Sequence, residues 1–418
     1  MMARPGVLLV SLVAAVLVAS VLGRPLSGLQ VEMDSPADQP DSVPAVLPAD
    51  QPDASPAELP APETPVEHYE YVVLPGNAYV FNMDRGFEVA KVLALPPTTG
   101  SNIKGVVAHP PTGVLYVSYG GDGGADGTGS LLKYDLLHDR IIWTRDYRHG
   151  IDSMAISPDG GILYMPLGEE AKSSREWMLL DTSTGNAVGS VNGGLGPHNT
   201  VVAPSGRHVY LAGREDRTLY VRNVTDGSLF TTVGPFIDTI RPFTMNGAET
   251  LVFTTHTGLL GFQVASISSG GVLYTVRVEG FNSASNFTTP SHGISLSPDE
   301  REIYLIDTAN AYAHVYDVSQ LPDQAPVRAA SIKLSRDFSG REDGCGTGWC
   351  GRIAWLQHSR DGRFVFVGDS GDVLDTHTRQ VVATLAPLRH TRKMLEIDWA
   401  GGLPVFATPR EGLGYQSP

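Results

Sequence analysis

The chain has only two cysteines, Cys345 and Cys350, in 418 residues. That excludes a scaffold built on many disulfides and a zinc site made from two cysteine pairs. Two cysteines this close pair with each other in an oxidising compartment. A free thiol, or half of a metal site, are the other readings. Basic charge is also short: 30 Lys and Arg against 45 Asp and Glu leave a net charge of -15. Nucleic acid is therefore a poor partner, because its phosphates need a basic face. No long segment carries a helical apolar period. The signatures G-x-S-x-G, H-E-x-x-H and C-x-x-C-H are missing, so the chemistries they support have no footing here. Gly120-Gly121-Asp122-Gly123-Gly124 lacks the Lys-Ser/Thr of a phosphate loop and reads as a hairpin loop. Calcium between Asp122 and Asp126 is the lesser reading there.

Long apolar runs are confined to residues 6–23, which follow Arg4 and end in Val21-Leu22-Gly23. This pattern predicts a secretory signal peptide over residues 1–23, with an uncleaved anchor as the alternative. Residues 24–66 are rich in Pro, Ala and Asp. Eight carboxylates (Glu32, Asp34, Asp38, Asp41, Asp50, Asp53, Glu58 and Glu63) stand against Arg24 alone. Such a segment has too little apolar side chain to offset its ordering entropy, so it is expected to be a disordered spacer. The secretory reading places the protein outside the cell or in a periplasm. It also gives the sequons at Asn223 and Asn286 a meaning if the source is eukaryotic.

From residue 67 the text is all β, and it repeats. Asp152 to Gly160 is followed by Ile162-Leu163-Tyr164-Met165. The same phrase returns as His198 to Gly206 before Val209-Tyr210-Leu211, and as His292 to Glu300 before Ile303-Tyr304-Leu305. It returns again from Ala354 to Gly362 before Phe364-Val365-Phe366, with a weaker copy ending at Gly113. Each copy reads as a strand, a tight turn and a second strand. Gly113, Gly160, Gly206, Gly247 and Gly362, with Glu300 in the same place, mark the turns at blade-sized spacing. Six units fit between residue 103 and about 387. A seventh is split between the chain ends, with 394–407 supplying its first strands and 69–93 the rest. Pairing the ends would close a ring and remove long free edges. The expectation is an all-β, seven-bladed β-propeller over 67–418, monomeric and closed by its terminal strands.

The Ser-Pro-Asp-Gly turn followed by an Ile/Val-Tyr-Leu/Val strand resembles the YVTN-type seven-bladed propellers. The resemblance covers most of residues 67–418. It implies an architecture shared by lactonases, lyases, redox subunits and plain binding proteins, so it does not name an activity.

In a propeller the first strand of each blade lines the central channel. Counting back eight residues from each turn marker lands on Gly105, Asp152, His198, Thr239, His292 and Ala354, near one mouth of that channel. Asp152, His198 and His292 have the composition of an open two-histidine, one-carboxylate site for a divalent metal. Plain polar lining of a wet channel is the simpler reading. Lys104, Arg241, Arg352, Arg392 and Lys393 stand nearby and suit an anion, with Arg241 and Arg352 the candidate substrate-binding pair. His149, three residues before Asp152, is the candidate base. The loops after the second strands add Asp122, Glu169, Glu170, Arg214, Glu215, Asp216, His256, Asp307 and Asp369 to the same rim. His109 and His358 fall at the opposite strand end and read as structural. Three functions follow as expectations. The first is a secreted module for a small anionic or metal-associated ligand. The second is a lyase or lactonase on a carboxylate-bearing substrate. The third is an extracellular protein-interaction platform.

Overall fold

The computed structural model describes residues 64–96, 103–120, 129–148, 151–168, 170–282, 288–342 and 351–409. The expected signal peptide, the spacer up to residue 63, Asp122, Asp126, His149, Glu169, Asn286 and both cysteines lie outside these residues. Among the described residues no helix is long and apolar enough to cross a membrane.

Seven antiparallel sheets follow one another along the chain. Six have four strands in sequence order. The fifth blade is typical: Ile240–Met245, Leu251–His256, Gly261–Ser266 and Val272–Arg277. Its first strand is wholly buried and its last is largely exposed. The split blade joins the two chain ends. Val66–Leu74 pairs with Met394–Ala400 on one side and with Asn77–Asn82 on the other, and Glu88–Ala94 follows. The terminal strands therefore close a seven-bladed propeller.

What joins the blades is apolar. Among the described residues seven clusters of buried side chains each draw on two neighbouring blades. Val201, Tyr210 and Val221 of the fourth blade meet Phe243, Met245 and Val252 of the fifth. Leu395, Ile397 and Val73 of the closing blade meet Val106 and Leu115 of the second. Each fully buried Leu, Val or Phe contributes about 1.5–3 kcal/mol.

The repeated turn has one geometry. In each of six blades the N–H of a left-handed residue donates to the carbonyl three residues earlier: Gly113 to Pro110, Gly160 to Ser157, Gly206 to Ala203, Glu249 to Asn246, Glu300 to Ser297 and Gly362 to Ser359. The fifth blade corrects the sequence reading. Its left-handed residue is Glu249, φ 54°, and Gly247 is an ordinary member of the turn. Glycine is required where the preceding blade leans on the turn. A Cβ at Gly160 would meet the His109 ring at 2.5 Å, and one at Gly206 would meet Pro158 Cγ at 2.5 Å. Glu249 and Glu300 instead reach backwards. Glu249 accepts hydrogen bonds from His208 and Tyr210 at 2.8 and 2.9 Å, and Glu300 accepts one from the Gly247 N–H.

The closing blade also departs from expectation. Leu403–Ala407 does not lie between Met394–Ala400 and Val66–Leu74. It pairs with the free edge of Met394–Ala400 as a fifth strand, because the Gly401-Gly402 turn folds it back on that side. Thr408 then ties it in, its Oγ1 accepting from the Glu396 N–H and donating to the side-chain amide oxygen of Gln357 at 2.7 Å.

Candidate functional site

Correcting the fifth turn moves its slot by two residues. Eight residues before Glu249 stands Arg241, so the equivalent positions are Gly105, Asp152, His198, Arg241, His292 and Ala354. Thr239 leaves the set; its hydroxyl contacts Thr257 Oγ1, which also accepts from Arg241 Nε at 2.8 Å. Three of the slots therefore carry a ring nitrogen or a guanidinium and one carries a carboxylate.

Asp152 and His198 come together. His198 Nδ1 lies 2.7 Å from Asp152 Oδ2, and Asp152 Oδ1 accepts from the Ser153 N–H at 2.8 Å. The carboxylate accepts from Nδ1–H and so orients the imidazole with Nε2 turned away from it. The side chain of His198 keeps 13% of its surface exposed, the more open member of the pair.

His292 takes a different partner, with Nδ1 3.2 Å from the Ala354 carbonyl oxygen. Burial drives its pKa well below the usual histidine value, and the charges of Arg392, His198 and Arg241 push the same way. Those three residues come from three other blades, so their fields meet at His292. The structure thus joins Asp152 to His198 and turns His292 Nδ1 to the backbone. Among the described residues no group of three or more His, Cys, Asp and Glu is arranged to hold a metal ion.

The cations form the larger feature. Lys104, Arg241, Arg352 and Lys393 are all buried, each within three residues of the start of an inner strand in a different blade. Arg352 donates to the Ser339 carbonyl at 3.1 Å. Arg392 lies 3.0 Å from Glu342 Oε1 and 3.6 Å from Asp369 Oδ2. Asp369 also accepts from the N–H groups of Ile353 and Ala354, both at 3.0 Å. Burial and then the Glu342 charge raise its pKa to about 7 against the pull of Arg392. Ala354 and Asp369 both sit in left-handed backbone, φ 67° and 65°, a strained arrangement that sets this hydrogen-bonded corner. Among the described residues the mouth thus carries Lys104, Arg241, Arg352, Arg392 and Lys393 together with the carboxylates Asp152, Glu342 and Asp369, the last about half ionised at pH 7.

The remaining rim residues go elsewhere. Glu170 pairs with Lys172 and Arg214, and Asp216 pairs with Arg175 at 3.0 Å. Asp307 is held by Asn310 and by His314 Nε2 at 3.2 Å. His256 contacts the Asp238 carbonyl and Thr254 Oγ1, and burial lowers its pKa to about 4. At the opposite face His109 lies between Thr112 and Pro158, and His358 against Ser295. Glu342 was missed in the sequence. It stands outside every repeat, and only its approach to Arg392 marks it.

Neither a protein-family model nor a curated protein matches this sequence. Among solved structures the chain is similar to Kuenenia stuttgartiensis hydrazine synthase, with a TM-score of 0.54 and 13% identity. The match covers 72% of this chain and 90% of that one. At this identity the likeness speaks for the propeller fold and carries no chemistry across.

Proposed function

We propose that the protein is a secreted propeller that binds a small anionic ligand at the mouth of its central channel. The observation that carries this reading is the set of buried cations at the start of the inner strands, in a chain whose net charge is -15. Burying ammonium and guanidinium groups is costly unless an opposite charge meets them. Buried cations that converge from several blades are a favourable place for the acid group of a ligand. Arg241 and Arg352 hold the acid group, Arg241 through its guanidinium fork. A metal-associated ligand is the weaker form, because Asp152 already serves His198.

The test is calorimetric titration with sulfate, phosphate and citrate. Arg241→Met and Lys393→Met should each weaken binding about tenfold, a loss of about 1.4 kcal/mol. Added magnesium or EDTA should leave it unchanged. Equal affinity in both variants, or no binding of any of the three anions, would refute the proposal.

One observation favours a second reading, a lyase or lactonase acting on a carboxylate-bearing substrate. A carboxylate-fixed imidazole with Nε2 turned from its partner is the geometry of a general base. In that reading His198 takes the role first given to His149. A rate that falls about a hundredfold in His198→Ala, with anion affinity kept, would separate catalysis from binding.

A further inference from the structure

The face opposite the mouth carries a groove between the fifth and sixth blades, with a cavity of about 1110 Å³. Its walls are hairpin ends. Residues 246–251 and 266–269 come from the fifth blade, and residues 299–302 and 317–322 from the sixth. It therefore runs from the first-strand turns near the axis to the third-strand turns at the rim. Two strand spacings separate these turns, about 10 Å, the length of about three extended residues.

The groove has an apolar floor and an acidic edge. Phe253, Leu296 and Val318 are buried beneath it, while Leu251, Leu273 and Leu321 are open to it. Asp299, Glu300 and Asp317 stand around it with Arg301, while Glu302 is already paired with Arg379. Asp299 gives Oδ1 to its own turn, at Ser297 Oγ and the Arg301 N–H, and Asp317 gives Oδ1 to the Ser319 N–H. The Ser319 hydrogen bonds hold the Asp317 carboxyl below its usual pKa, so it stays ionised at neutral pH. Each aspartate keeps a second oxygen for an incoming cation.

We infer that this groove is a docking site for an extended peptide segment in which basic and apolar residues alternate. Alternation is what an extended chain offers, with one set of side chains facing the leucines and the other the carboxylates. The volume exceeds the range usual for small-molecule pockets, about 300–1000 Å³, and the open course suits a chain passing through. Charge complementarity selects a basic partner. This inference is independent of the mouth, which lies on the other face and has the opposite sign.

Fluorescence anisotropy with fluorescein-labelled Lys-Leu-Lys-Leu-Lys tests it on the full protein. A Kd of about 10–100 μM is expected at low salt, rising steeply as salt screens the carboxylates. Glu-Leu-Glu-Leu-Glu should not bind, and Lys-Ser-Lys-Ser-Lys should bind at least about fivefold more weakly, for want of the apolar floor. Leu273 and Ser268 are exposed on the wall, so Leu273→Lys and Ser268→Lys should preserve the thermal midpoint while weakening the first peptide about tenfold. Absence of saturable binding up to millimolar protein would overturn the proposal. So would equal binding of the acidic peptide, or unchanged affinity in both variants.

Discussion

One strand, Met394–Ala400, buries cations at its start and carboxylates further along. At the mouth end Lys393 and Arg392 join the ring of cations. Three and five residues after Lys393, Glu396 and Asp398 lie in the seam between the closing blade and the seventh. Glu70, directly across from Glu396 in the sheet, joins them. Strand alternation puts all three on the face of Val72 and Met394, which packs on Trp355 and Phe366. Arg360 is the cation that meets them, with Nη1 3.1 Å from Asp398 and its N–H on Glu396. Glu70 is fully buried, and neither of its carboxylate oxygens has a hydrogen-bond partner among the described residues.

The two regions resolve buried charge differently. Arginine stays charged at any ordinary pH, so the mouth keeps its guanidinium charges. A carboxyl can take up a proton instead. Burial raises the pKa of Glu70, and burial together with the Asp398 charge raises that of Glu396. The seam is thus relieved by protonation, whereas the mouth holds charges of both signs.

Breaking the seam outright has the largest effect. Deleting residues 394–418 removes the buried Met394, Leu395 and Ile397, worth about 1.5–3 kcal/mol each. The sum rivals the whole stability of an ordinary domain, about 5–15 kcal/mol. Calorimetry should find no cooperative unfolding transition. Deleting residues 24–63 should leave the midpoint in place, and a fall of several degrees would contradict the spacer reading.

Protonation is the next lever. A carboxyl whose folded pKa is raised binds more protons folded than unfolded. Its stabilising contribution is full below the unfolded value near 4.5 and is lost as pH rises through the folded value. Buried His256 and His358, with pKa lowered to about 4 and about 3, act in the other direction, losing stability as pH falls below about 6.5. Glu70→Gln separates the two effects, because the amide mimics the protonated acid. The midpoint should rise by about 2–4 °C at pH 8 and be unchanged at pH 4. The same rise at both pH values would mean that packing, not charge, is responsible.

The contrast also explains what was legible in the sequence. The mouth follows from a local repeat: Asp152, His198 and His292 stand at one distance from their turns. The miss at the fifth blade was also local. Asn246-Gly247 reads as a turn dipeptide, whereas the left-handed position fell on Glu249, held there by His208 and Tyr210 of the neighbouring blade. The seam was illegible for a different reason. Glu70 and Glu396 meet only through pairing of strands more than three hundred residues apart, and Arg360 comes from a third place. The expected pairing of the chain ends set the right blade together, but register decides which side chains face each other.

Removing the charge of Asp152 should have the smallest effect, and it tests the mouth alone. In Asp152→Asn the side-chain oxygen can still accept the Ser153 N–H, so the midpoint should move by less than about 2 °C. The amide nitrogen would now face His198 and donate to Nδ1, where the carboxylate accepted from it. The imidazole proton moves to Nε2, and the mouth gains a donor in place of a lone pair. Nitrogen NMR should report this tautomer change directly. Sulfate affinity should then change by less than about threefold, since an N–H suits an anion at least as well as the cations around it do. Any base activity should fall by about a hundredfold or more, because the nitrogen that accepts the proton is already protonated. An unchanged tautomer would show that Asp152 does not orient His198.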